Sequence, residues 1–183
     1  MVPVLVAVFL AQGFEEIEAV AVIDVLRRAG LTVAVVAVGG GTVVTGSHGI
    51  SITADMTENE LDMDLLEAIV LPGGLPGTTN LEKSPVIQKA IDDAVCKGIW
   101  ICAICAAPSI LGRKDLLKGR NATCFPGYEP ELNGANVGGN VAVDRPFITG
   151  KGAGVAVDFA LGIVAELCSL ECANQLRSIM QCI

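Results

Sequence analysis

The chain is poor in aromatic residues, in basic charge and in histidine. Phe, Tyr and Trp make up only 4% of its 183 residues. The core therefore has to be built from Ala, Val, Ile and Leu, and aliphatic runs of that kind suit parallel strands buried on both faces. Twelve Lys and Arg stand against 20 Asp and Glu, a net charge of −8. With no basic cluster to offset it, that balance argues against nucleic acid as a partner. A single histidine and a single CxxC fall short of the four ligands of a zinc site, so no metal is expected. No apolar stretch is long and clean enough to span a bilayer, so no membrane partner is expected either. No linker or internal repeat divides the chain, and one domain over residues 1–183 is the expectation. The opening "MVPVLVAVFLAQG" has the apolar character of a signal peptide. It lacks a basic flank and runs straight into an acidic helix, so it reads as a first strand of a cytoplasmic protein. Seven cysteines, several inside apolar segments, then read as reduced thiols rather than a disulfide framework.

What is present is an alternation. "VPVLVAVFLA" reads as a central strand, "EEIEAVAVIDVLRRAG" as a helix stopped by Gly30, and "LTVAVVAVGG" as a second strand. "TVVTGSHGISITAD" reads as two short strands around a turn at Ser47-His48-Gly49. "EAIVLPGG" is a strand ending in a glycine loop. "SPVIQKAIDDAVCKG" is a helix with Ser84 as N-cap and Pro85 at its first position. "IWICAIC" is a strand from which "AAPSILGR" opens a helix. "NATCF" and "NVAVDRPFITG" supply further strands, and "GAGVAVDFALGIVAELC" and "SLECANQLRSIMQCI" two last helices. Such an order predicts an α/β fold with a mostly parallel sheet covered on both faces, with ligands collecting at the carboxyl ends of the strands. "VGGGT" lacks the lysine of a phosphate loop, and "TGKGAGVA" has the wrong spacing for a dinucleotide loop. The first helix is apolar at every position over 19–26 except Asp24, more than a one-sided surface helix needs. Either a second subunit or the chain's own C-terminal helix covers the excess.

"WICAICAAPSIL" carries the chemistry. Cys102 and Cys105 have the spacing of a redox pair, but Pro108 sets the helix start, which leaves Cys102 in the strand. Three extended residues span about 10 Å, and a disulfide needs Cα atoms within roughly 7 Å. A packed structural thiol suits Cys102. At Cys105 a strand turns sharply into a helix among the small residues Ala103, Ala106 and Ala107, the logic of a nucleophile elbow. The N-terminal end of that helix favours a thiolate, and the amides of Gly74 and Ala106 can form an oxyanion hole. On these residues alone, packed thiol and nucleophile both remain open for Cys105. His48 is the only histidine a cysteine–histidine pair can use, and it also suits a plain polar turn. Glu15 and Glu16 open the first helix, where carboxylates favour the dipole. Glu18 differs: with Val22 and Val25 it lies on an apolar stripe, where a carboxyl resists ionising and can donate a hydrogen bond or shuttle protons.

Taken together, "AQGFEEIEAVAVIDVLRRAG", "IVLPGG", "AICAAPSIL" and "GAGVAVDFAL" resemble the DJ-one/ThiJ/PfpI superfamily, close to bacterial members of its DJ-one branch. The match runs over nearly the whole chain. The resemblance implies a flavodoxin-like three-layer sandwich and a homodimer. It implies a redox-sensitive nucleophile at Cys105, a protonated partner at Glu18 and oxyanion amides at Gly74 and Ala106, with Glu15 and His48 as accessory candidates and no cofactor. Several relatives carry a histidine before a proline beyond the elbow. Here that place is Phe125, which argues against peptidase-like chemistry. The activities implied are cofactor-free glyoxalase or deglycase chemistry on small carbonyl substrates. The alternative is a non-enzymatic oxidative-stress sensor or redox-regulated chaperone that uses oxidation of the same cysteine.

Overall fold

A computed structural model describes residues 5–182. The first strand, β1 (Leu5–Ala11), shows how the fold is built. Its side chains alternate between faces, and each face feeds a separate core. Val6, Val8 and Leu10 enter one cluster, while Ala7, Phe9 and Ala11 enter the other. Both faces are therefore dry, as the unbroken apolar run demands. The expected beginning of this strand at residues 2–4 lies outside the described residues.

Helix α1 (Glu16–Arg28) follows, capped by the Glu15 carboxylate, which accepts the Glu18 N–H. Strand β2 (Thr32–Val38) pairs parallel with β1. The predicted hairpin forms as β3 (Val43–Thr45) and β4 (Ser51–Thr53), antiparallel around the Ser47-His48-Gly49 turn. A two-residue strand, β5 (Met56–Thr57), adds to the edge beyond β2. Strand β6 (Leu66–Leu71) pairs on the other side of β1 and ends in the "LPGG" loop.

A short helix that the sequence pattern did not suggest comes next, α2 (Gly77–Lys83). Its Gly and Thr residues disfavour helix. Burial of Thr78 and Leu81 and the Gly77 N–H bond to the Gly13 carbonyl hold it in place. Helix α3 (Pro85–Lys97) has the expected Ser84 cap, Pro85 at its start and Gly98 in the left-handed region at its end. Strand β7 (Trp100–Ile104) leads into α4 (Pro108–Arg113).

"NATCF" yields less strand than expected: only β8 (Asn121–Ala122), paired with β9 (Asn136–Val137) apart from the main sheet. The amides beyond it are engaged elsewhere, Thr123 N–H with Thr149 Oγ1 and Phe125 N–H with the Cys105 carbonyl. Strands β10 (Val141–Asp144) and β11 (Phe147–Gly150) form an antiparallel hairpin, and β11 pairs parallel with β7. Helices α5 (Ala156–Leu167) and α6 (Leu170–Ile179) close the described chain.

The main sheet runs β10-β11-β7-β6-β1-β2-β5, and β10 alone is antiparallel to its neighbour. Helices α1 and α5, with α6, cover one face; α2, α3 and α4 cover the other. This is the flavodoxin-like three-layer α/β sandwich. No helix among the described residues is long and apolar enough to cross a membrane.

Candidate active site

Strand order reverses beside β1: the chain leaves it for β2 on one side and later lays β6 on the other. A crevice opens at such a switch point, beyond the carboxyl ends of the strands. Three segments meet there: the first turn of α1 brings Glu18, the loop after β6 brings Gly73 and Gly74, and the end of β7 brings Cys105.

Cys105 stands at φ 64°. Apart from glycine, Asp115, Asn133 and Gln181 are the other described residues at positive φ. Asp and Asn enter this region readily, whereas a cysteine there is strained. Two backbone bonds hold it: its N–H donates to the Gly150 carbonyl at 2.9 Å, and its carbonyl accepts from Phe125 N–H at 2.9 Å. The strained elbow that the strand-to-helix turn calls for is thus the observed conformation. Cys102, three residues earlier, is fully buried inside β7, and burial holds its thiol far above the ordinary range.

Glu18 is fully buried. Its Oε2 accepts the Gly73 N–H at 2.8 Å, while Oε1 has no partner among the described residues. Its side chain is in hydrogen-bonding contact with Cys105. Burial first, with the Glu15 charge adding to it, raises the Glu18 carboxyl to about 7, against the Gly73 and Cys105 hydrogen bonds. For Cys105, burial first and then the charge and hydrogen bond of Glu18 push the thiol up to about 12, while the amides of Ala106 and Gly74 pull it down. The two Glu18 contributions exist only while that carboxyl is ionised. Once it holds a proton it becomes a donor and favours the thiolate instead. Two anions do not fit so dry a space, and the pair retains one proton.

The amides of Gly74 and Ala106 favour a negative sulfur. The expected contribution of the following helix is small. Helix α4 has six residues, and Pro108 at its start brings no N–H.

Gly73 went unremarked in the sequence, although its doublet with Gly74 was the available signal. A Cβ built on Gly73 would stand 2.6 Å from Cys105 Cβ and 2.7 Å from Glu18 Oε2. The absence of a side chain at Gly73 is what lets thiol and carboxyl meet.

Glu15 and His48 are not brought to the sulfur. The Glu15 carboxylate caps α1. The His48 ring is exposed and meets Glu16 Oε2 at 2.9 Å and Ser47 Oγ at 3.2 Å. Glu15, Glu16 and His48 have ligand atoms within 4.8 Å of one another. Two backbone amides, the His48 ring and Ser47 already engage the Glu16 oxygens, however. Phe125, in the place where several relatives carry a histidine, clamps the Cys105 carbonyl through its backbone, and its ring lies half-exposed against Gly152.

A family model described as the DJ-1/PfpI family matches residues 4–166. The chain belongs to the DJ-1/PfpI family. Protein dj-1beta of Drosophila melanogaster is 36% identical over 167 residues, 90% of this chain and 89% of the fly protein. The Caenorhabditis elegans protein named glutathione-independent glyoxalase DJR-1.2 is 34% identical over 166 residues, 88% of this chain and 87% of the worm protein. The chain spans 45% of the longer Arabidopsis thaliana DJ-1 homolog A. Among solved structures, a DJ-1 superfamily protein from Salmonella typhimurium superposes with a TM-score of 0.92 at 35% identity, covering 97% of each chain. The DJ-1/PfpI match spans the elbow, the "LPGG" loop and Glu18 alike.

Proposed function

We infer that this chain is a cysteine-dependent, cofactor-free stress enzyme of the glyoxalase or deglycase type, acting in the cytoplasm on small dicarbonyls or their early adducts. The observation that carries the reading is Cys105, strained at φ 64° and in contact with the buried Glu18. Such a pair suits an addition that needs a nucleophile and a nearby proton carrier. A carboxyl raised to about 7 is matched to proton transfer near neutral pH.

In the proposed cycle, the Cys105 thiolate accepts a hydrogen bond from protonated Glu18 and adds to the aldehyde carbon of methylglyoxal. The carbonyl oxygen takes the Glu18 proton and becomes the hydroxyl of a hemithioacetal, with the Gly74 and Ala106 amides stabilising charge as it develops. Ionised Glu18 then removes the proton from that carbon and returns it to the neighbouring one, while the hydroxyl proton passes to the neighbouring oxygen, leaving a thioester of a 2-hydroxy acid. Water hydrolyses the thioester, lactate leaves and Cys105 is free again. No redox cofactor is needed, because one carbon is oxidised as its neighbour is reduced. The absence of a histidine beside Cys105 among the described contacts gives a peptidase reading no support.

A homodimer is part of this proposal. Helix α1 packs one side on the sheet and α5, yet Ile17 and Val20 remain exposed beside Ile50. A second copy, related by a two-fold axis, would bury that face, and sedimentation at micromolar concentration reads it.

The competing reading is a sensor or chaperone in which Cys105 is oxidised to sulfinate, favoured by its incomplete burial. Chromatographic measurement of lactate from methylglyoxal separates them. Wild type forms lactate and Cys105→Ala does not. Equal rates in both, or none in wild type, would overturn the enzymatic reading.

A further inference from the structure

The elbow leaves six cysteines without a role. Two of them meet at the corner between the last helices. Helix α5 ends at Leu167, and Cys168 follows with φ −114° and ψ −82°, neither helix nor strand. Ser169 caps α6 by accepting the Cys172 N–H on its Oγ at 3.1 Å. That cap sets the first turn of α6, so Cys168 and Cys172 flank the same corner, and Cys172 is near enough to bear on the Cys168 thiol. Cys168 is exposed. Cys172 is half-buried and packs at the edge of the core beneath α1 and α5. Both are free thiols, joined by a short loop whose geometry is already set by the cap.

We propose that Cys168 and Cys172 form a reversible dithiol–disulfide couple, a second redox site separate from Cys105, whose reaction partners are low-molecular-weight thiols and disulfides. Cys168, the accessible member, loses its proton and attacks one sulfur of a small disulfide. That S–S bond breaks, one small thiolate leaves and takes up a proton, and a mixed disulfide stands on Cys168. The Cys172 thiolate then attacks the Cys168 sulfur and expels the second small thiolate, which is protonated in turn. Two protein thiols give up two electrons and two protons, and one small disulfide becomes two thiols. Burial, then the neighbouring Cys172, holds the Cys168 thiol above its ordinary range, so the first attack quickens as the pH rises. The bridge ties α5 to α6, the helix that sends Ala173 and Leu176 into the core.

The chain supplies its own assay. Trypsin releases residues 152–177, which hold Cys168 and Cys172 and no other cysteine, and cutting after Glu171 separates the two. The full-length protein is equilibrated with oxidised and reduced glutathione at a series of ratios, quenched in acid, blocked with a maleimide and mapped by mass. At oxidising ratios the 152–177 peptide is expected to weigh two hydrogens less than the reduced form. It should carry no maleimide, and after cleavage at Glu166 and Glu171 the pieces 167–171 and 172–177 should stay joined until reductant is added. Cys168→Ser and Cys172→Ser are each expected to leave a glutathione adduct on the remaining cysteine. Separate glutathione or maleimide groups on both cysteines of the wild type at every ratio would overturn the proposal. So would a bridge from either one to Cys182, which lies in the next tryptic peptide. The wild-type measurement stands without the variants.

Discussion

Glu16 and Glu18 lie two residues apart on the same helical turn, and both are buried. They nevertheless titrate in opposite directions. Burial opposes ionisation of both and is the largest influence on each. At Glu16 the His48 ring and backbone amides, those of His48 and Ile50 among them, outweigh burial and bring the carboxyl down to about 2. At Glu18 one backbone amide and a thiol do not, and it rises to about 7. A buried carboxylate with its lone pairs filled is a structural clamp. One left short of donors holds a proton and can pass it on. The number of donors, rather than depth of burial, tells the two apart.

The largest effect is expected from removing the proton carrier. Glu18→Gln keeps a donor beside Cys105 but cannot relay, so methylglyoxal turnover should fall by about 10²–10⁴-fold while iodoacetamide still modifies Cys105 readily. Glu18→Leu removes the donor too and should also shift the alkylation profile to higher pH. Rates of alkylation against pH for both variants decide it: profiles identical to wild type would show that Glu18 does not act on the sulfur.

Gly73→Ala attacks the same contact from the other side. Its methyl group would overlap both Cys105 and Glu18. A destabilisation of about 1–3 kcal/mol is expected from the overpacking, together with loss of activity, read by denaturant melts and lactate formation.

The stability of the two carboxyls can be compared through pH. Glu18 has a folded pKa of about 7, above its ordinary value of 4.5. Its contribution is fully present below about 4.5 and is lost as pH rises through about 7. Glu18→Gln should therefore gain on wild type in thermal melts as the pH passes from 5 to 8, by on the order of 2 kcal/mol. Glu16 has a folded pKa below that value, so its contribution is present above about 4.5 and is lost as pH falls through about 2. Glu16→Gln should cost about 1–2 kcal/mol at neutral pH, with the gap from wild type closing in acid. A Glu16→Gln melt indistinguishable from wild type at pH 7 would dissolve the contrast.

The smallest effect belongs to His48→Ala. The ring is exposed, so stability should change little and Cys105 alkylation not at all. A slowed alkylation would bring His48 back to the site.

Much of this arrangement was legible before the fold. Glu18 stood out because Val22 and Val25 mark its stripe, and all three are fully buried. Cys105 stood out because small residues and Pro108 surround an apolar strand end. Local patterns of this kind report on local geometry. Gly73 did not stand out, because its partner Glu18 is 55 residues away and no spacing rule reaches that far. Helix α2 was missed because tertiary burial overrides its poor propensity. "NATCF" was over-read as strand because the side chain of Thr149 and the carbonyl of Cys105 capture its amides. In the sequence Glu16 is a dipole-favouring residue at a helix start, and its tie to the β3–β4 turn exists only once the hairpin has folded back.

The two clamps on Cys105 both come from later in the chain, the Gly150 carbonyl at the end of β11 and the Phe125 amide. A ribosome making this protein delivers the thiol well before either of them. The Phe125 amide arrives first, but until residue 150 has emerged and β11 has docked against β7 the Cys105 N–H lacks its partner and the left-handed conformation is only half clamped. The strained thiol is thus the last part of the site to be completed during synthesis, and a chain truncated before β11 would carry the elbow sequence without the elbow.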